Sequence, residues 1–275
     1  MKRQGMWVWG AGLVVMLGSA CKREAAETAA PAADPAEVAV TEQVPAGTPD
    51  LRDVIETNPR YVVGISYPPA LASHPGLARE VTAYGEAAKG ELLRAVEALG
   101  NDAPRAPYEL SLSFEITADS PQVVAVSGDG SRYTGGAHGE PLLARFVWLP
   151  ERQQLLTAQS LVPSAAGWQA ISAYVAGQLR EKALARAEAD HLPPDQEQAL
   201  VRNADKMIAE GTAPEASNFA LFQPLLRNGR ISALRFVFPP YQVGPYSDGT
   251  QSVDVPAAVL RPHLAAEFAG LFEPG

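Results

Sequence analysis

Apolar and polar positions alternate with two different periods along this chain, and the places where the period changes mark its elements. Tyr108–Thr117 is the clearest stretch of period two, with Tyr108, Leu110, Leu112, Phe114 and Ile116 on one face and polar residues between them. Arg60–Tyr67 is β-branched and aromatic and is stopped by Pro68 and Pro69, which predicts a strand. His74–Leu99 changes to helical spacing: Leu77, Val81, Tyr84, Ala88, Leu92, Val96 and Leu99 recur every three or four residues, and Gly100-Asn101-Asp102 ends the run. Further strands are predicted at Gln122–Ser127, resuming at Arg132-Tyr133 after an irregular Gly128-Asp129-Gly130, and at Leu142–Leu149 and Leu155–Thr157.

The second half opens with helical patterns at Ala165–Ala187 and Pro194–Glu210. Ser217–Pro224 and Ile231–Phe238 flank Asn228-Gly229, a hairpin signal because both residue types tolerate positive φ. Val253–Val255 predicts a short strand. Pro256–Leu271 predicts a helix that begins at its proline. Strands neighbour strands and helices come in separate runs, with no repeat of fixed period. The fold class is therefore α+β, with antiparallel sheet, packed helices and two closely joined subdomains.

The N-terminus follows a different pattern. Lys2 and Arg3 precede an uncharged stretch from Gly5 to Ala20, and small residues at Gly18, Ser19 and Ala20 lead to Cys21, the one cysteine of the chain. The apolar run is shorter than the ~20 residues of a transmembrane helix and has the layout of a secretory signal. LGSAC resembles a lipobox, with Leu17 one place further from the cysteine than usual. Residues 1–20 are expected to be a lipoprotein signal peptide and Cys21 the lipidated residue. Ordinary secretion and a cytosolic start are the competing readings. From Lys22 the chain is rich in Ala, Pro, Glu and Thr, so residues 21–56 are expected to be a disordered tether. Lys22 is not the aspartate that signals inner-membrane retention. The expected location is the cell envelope, lipid-anchored and facing the periplasm, with the outer membrane favoured over the inner.

Charge and cysteine count narrow the function. The net charge is −9, and removal of residues 1–20 takes it to −11, because that segment holds Lys2 and Arg3 and no acid. Such a surface opposes nucleic acid and favours a cationic partner, although acidity also serves simple solubility. One thiol allows neither an internal disulfide nor a thiolate metal cluster.

Two motifs remain. The first is Tyr133-Thr134-Gly135-Gly136-Ala137-His138-Gly139. The second runs from Phe236 to Gly249 and contains Pro239-Pro240-Tyr241 and Gly244-Pro245-Tyr246-Ser247-Asp248-Gly249. Together they resemble the C-terminal domain family of the lysozyme-sensing anti-sigma factor RsiV, a domain of unknown function. The strand–helix–strand–strand segment before them is similar to the N-terminal domain of the peptidoglycan deacetylase PdaC. The resemblance implies a PdaC-like domain at 57–130 and an RsiV-like domain at 131–275. It implies an envelope binding surface, with a lysozyme-like protein or peptidoglycan as partner. The membrane span and cytoplasmic segment of the anti-sigma factor are absent from this chain, as is the catalytic domain of the deacetylase.

The residues themselves offer limited chemistry. His138, between small neighbours, is accessible enough to be a base or a ligand. His74, His191 and His263 stand at no metal-ligand spacing with it, and neither HExxH nor GxxxxGK[ST] occurs. Gly135, Gly136 and Gly139 also suit a bulged hairpin in which His138 only bonds backbone. Tyr241 and Tyr246, stiffened by Pro240 and closed by Gly249, suit an anchor for a protein or a sugar ring, or a corner packed on the core. The candidate ligand-binding residues are Tyr133, His138, Tyr241 and Tyr246, with no catalytic residue, metal or cofactor assigned. The expected function is a non-catalytic envelope lipoprotein that binds a cell-wall-related ligand. The alternatives are a glycan-acting enzyme using His138 with Glu109, Glu115, Asp119 or Asp129, and a structural accessory lipoprotein.

Overall fold

The computed structural model describes residues 49–189 and 191–274. The expected leader 1–20, Cys21 and the tether up to residue 48 lie outside them. The first sheet begins inside the stretch read as tether: β1 (Val54–Thr57) pairs antiparallel with β2 (Tyr61–Ser66). Only Val54 and Ile55 of its four residues are apolar, and Ile55 is 81% exposed, so this edge strand carries no apolar run to reveal it. The Asn58 side chain accepts from the backbone N–H groups of Arg60 and Tyr61 and sets the turn between them.

After β2 comes α1 (Pro75–Ala98), with proline at its first position, where no N–H is needed. It returns the chain to β3 (Tyr108–Asp119), which lies parallel to β2. This corrects the expectation of purely antiparallel pairing: a strand–helix–strand passage of this length is the connection that parallel neighbours need. β4 (Val124–Tyr133), β5 (Glu140–Leu149) and β6 (Gln154–Leu155) then add antiparallel, giving the order β1-β2-β3-β4-β5-β6.

Gly128-Asp129-Gly130 does not interrupt β4. A Cβ on Gly130 would come within 2.0 Å of the Ser111 carbonyl, and one on Gly128 within 2.5 Å of the Phe114 ring. The glycines are there for close approach inside a continuous strand. The first sheet therefore runs past residue 130, and the hairpin 133–139 belongs to it.

The second half mixes long helices with several single turns. A single helical turn α2 (Ala158–Leu161) is closed by a reciprocal cap between Thr157 and Ser160. The helical hairpin of α3 (Ala165–Ala189) and α4 (Pro194–Gly211) follows. β7 (Phe222–Arg227), β8 (Arg230–Phe238) and β9 (Gln251–Pro256) form a three-stranded antiparallel sheet. Asn228 and Gly229 have φ of 51° and 75°, as the hairpin signal requires. Two expectations change here. Ala216–Phe219 is a 3₁₀ turn instead of strand. The helix expected at 256–271 is one α turn, α5 (Ala257–Leu260), followed by 3₁₀ turns at Arg261–His263 and Ala266–Leu271. Pro262 has no N–H to continue an α-helix.

Both faces of β3–β5 are used. Leu112, Phe114, Val124, Val126 and Trp148 face a core made with Leu77, Val81 and Leu92 of α1. The alternate residues Val123, Ala125, Val147 and Leu149 face a second core with Ile171, Val175, Phe219, Phe236 and Phe238. The uninterrupted apolar run Val123–Val126 thus reflects burial on two sides. The fold is α+β, a six-stranded mixed sheet and a three-stranded antiparallel sheet that have no strand in common and meet through the second core.

Candidate functional site

The β4–β5 hairpin turns through Gly135 and Gly136, with φ of 97° and 101°, a region open to glycine. Inside the turn, the Tyr133 hydroxyl donates to the Gly136 carbonyl at 3.3 Å. His138 is exposed, and its Nδ1 lies 3.1 Å from the Gly139 carbonyl. That contact requires the proton on Nδ1.

The second loop leaves β8 at Phe238 and enters β9 at Gln251. Its Tyr241 N–H donates to the Gly244 carbonyl, and its Gln242 N–H to the Pro239 carbonyl. The Gln242 side-chain amide donates at 2.9 Å to the carbonyls of both Gly211 and Asn218, tying the loop to the end of α4. Gly211 has to be small, since a Cβ there would meet the Gln242 carbonyl at 1.9 Å. Tyr241 has a φ of 72°, a left-handed conformation that is costly for a bulky side chain, and Gly249 closes the loop at 66°.

The two loops meet. The Tyr246 hydroxyl donates to the Gly139 carbonyl at 3.2 Å, across 107 residues of sequence. The His138 ring stacks on Tyr246 with centroids 4.2 Å apart and planes 23° from parallel. Tyr241 sits 5.5 Å from Tyr246 and 6.5 Å from His138. These rings line an open groove of about 390 Å³, together with Gly135, Thr134, Pro141, Pro239 and Pro240. At its edge Arg132 holds Glu140 at 2.6 Å and also pairs with Glu91. Tyr241 is 59% exposed.

Of the expected residues, His138, Tyr241, Tyr246, Gly135 and Pro240 line this groove. Tyr133 does not: its hydroxyl is turned back into the hairpin. Gly136, Gly139 and Gly249 shape backbone. The sequence reading missed Arg132 and Glu140, whose signal was their place directly opposite one another across the β4–β5 ladder.

None of the four acids considered beside His138 lines the groove. Asp129 pairs with Arg145 at 2.8 Å, and with Glu115 it lines a different, polar groove near Arg235. Asp119 lies 3.7 Å from His74. The carboxylate in the groove is Glu140, already held by Arg132. Among the described residues no three His, Cys, Asp or Glu side chains are grouped to hold a metal ion, and no helix is long and apolar enough to cross a membrane. What the groove does offer is flat ring faces, rigid prolines and an ion pair at the rim, a surface for stacking and hydrogen bonding.

Residues 56–140 match the family model described as Deacetylase PdaC, and residues 161–258 match that described as Protein of unknown function (DUF3298). Among solved structures, a DUF3298 family protein from Pseudomonas aeruginosa PAO1 is similar at 17% identity, over 82% of this chain and 94% of that one, with a TM-score of 0.47. A DUF3298 family member from Bacteroides fragilis NCTC 9343 is similar at 13% identity, over 81% and 95%, with a TM-score of 0.48. No curated protein matches. The hairpin 133–139 falls in the first matched span and the tyrosine loop in the second.

Proposed function

We propose that this chain, which joins a PdaC domain to a DUF3298 domain, is a non-catalytic bacterial envelope lipoprotein that binds a cell-wall-related ligand at the groove between them. The ligand is a lysozyme-like protein or peptidoglycan, and Cys21 is the lipidated residue. One observation carries the reading: Tyr241 stays 59% exposed on a left-handed backbone, tilted by 39° against Tyr246 of its own loop, which stacks on His138 of the β4–β5 hairpin. A tyrosine needed only for packing has no reason to hold an unfavourable conformation in solvent, whereas a rigid exposed ring is an efficient anchor. The acidic chain, at −9, adds long-range attraction for a basic protein.

The test is a titration of the purified chain against lysozyme and against soluble peptidoglycan fragments, with wild type and Tyr241→Ala at low and high salt. One of the two binds saturably, and Tyr241→Ala weakens it by about tenfold or more. If the protein partner is the one bound, affinity falls with salt, because exposed charges are screened beyond about 10 Å at 0.1 M. Binding of neither, or binding indifferent to Tyr241→Ala, overturns the proposal.

A further inference from the structure

The loop that presents its tyrosines to the groove closes a separate cavity with its other side. This cavity, of about 280 Å³, lies between α3, α4 and residues 243–251. Leu179, Ile208 and Val243 line it and are almost fully buried, while Ala183 and Ala204 keep the facing helices from filling it. An apolar hollow of this kind gains free energy by taking up an apolar group.

Its polar part is one-sided. Lys182 and Arg186, four residues apart on α3, both line the mouth, and Asp248 is the one carboxylate of the lining. Arg186 pairs with Asp248 through Nη1 at 2.5 Å, and Lys182 donates to the Ser252 carbonyl at 2.6 Å. Each uses one donor for that contact, out of five on a guanidinium and three on an ammonium. Lys182 also faces Asp254, but that carboxylate is already held by Arg235 at 2.7 Å, so both cations are held in place with donors to spare.

We infer that this cavity binds a small amphiphilic anion: a single short acyl chain in the hollow, with its carboxylate at Lys182 and Arg186. The volume is just below the ~300–1,000 Å³ of small-molecule sites, which suits one short chain and excludes a two-chain lipid. Charge complementarity selects the head group, since a neutral or cationic head would leave the spare donors of Lys182 and Arg186 unused or face them with like charge. This site shares a loop with the groove but none of its ring residues, so it stands independently of the function proposed above.

The experiment is calorimetric titration of the purified chain with decanoate, decanol and decyltrimethylammonium. Decanoate is expected to bind saturably, with decanol about tenfold weaker, the loss of a charge-assisted pair of hydrogen bonds, and the cation weakest. Ala204→Trp, which fills the hollow, abolishes decanoate binding. Lys182→Glu, at an exposed position, weakens it by at least about tenfold while the thermal midpoint of the variant without ligand stays close to that of the wild type. Tyr241→Ala leaves it unchanged. Absence of saturable decanoate binding, equal affinity for decanol, or affinity unmoved by Lys182→Glu each overturns the inference.

Discussion

The two cores of this protein draw on the same three strands and are built in opposite ways. The first sets one long helix against one sheet face: α1 supplies Leu77, Val81 and Leu92, and β3 supplies Leu112 and Phe114. The second gathers residues from α3, as long as α1, from a 3₁₀ turn and from the three strands of the second sheet around stacked aromatics, with Trp168 on Phe219 at 5.2 Å and Phe219 edge-on to Phe236 at 5.3 Å. A core of long regular elements can be completed locally. A core gathered from many separate elements depends on a few large side chains that tie several of them at once. The candidate groove belongs to neither alone, because its histidine comes from the first unit and its tyrosines from the second.

The comparison breaks most visibly at Phe219. Its ring is 1% exposed and touches Trp168, Phe236 and Phe238, so Phe219→Ala should cost about 3–5 kcal/mol in equilibrium unfolding. A loss below ~1 kcal/mol would mean that these elements hold together without it.

The first core is separated from the second by pH. Burial pushes the Tyr67 phenol up to about 12, with the charges of Glu86 and Asp50 adding to the effect. Its ring stacks on Phe114 at 5.3 Å, and its hydroxyl lies where a Cβ on Gly85 would be. A phenol whose folded value is raised contributes stability in full below the ordinary value near 10, and loses it as pH rises through the folded value. Stability should therefore fall between about pH 10 and 12, and Tyr67→Phe should remove that part of the decline. An identical alkaline limb in Tyr67→Phe would assign the loss elsewhere.

At the groove the expected change in stability is the smallest. Tyr241→Gly relieves the left-handed backbone and adds chain entropy in the unfolded state, so unfolding free energy should stay within about 0.5 kcal/mol of wild type while ligand binding is lost. A large drop in stability would make Tyr241 a packing residue.

Much of the first unit was legible in the sequence because its elements are long and periodic. The α1 face and the alternation of β3 are visible in the order of residues, as is the Asn228-Gly229 turn. The parallel pairing of β2 with β3 was missed because adjacency of strand signals was weighed above the helix between them. The continuity of β4 through Gly128 and Gly130 was missed for another reason: those glycines answer to Phe114 and Ser111 on the neighbouring strand, and a single strand does not display its neighbour. The 3₁₀ turn that carries Phe219 looks like strand in the sequence, because its shape is fixed by the core that Phe219 fills. Both loops of the groove stood out by their glycines, prolines and tyrosines. Their meeting did not, since nothing local links Gly139 to a hydroxyl 107 residues away.

That meeting is the claim on which the groove rests, and a double-mutant cycle in folding stability tests it without a ligand. His138→Ala, Tyr246→Ala and the double variant of the purified chain are unfolded in urea. If the rings stack at 4.2 Å as described, the two substitutions couple by at least about 0.5 kcal/mol. Additivity to within about 0.3 kcal/mol would show that the two loops do not form one site.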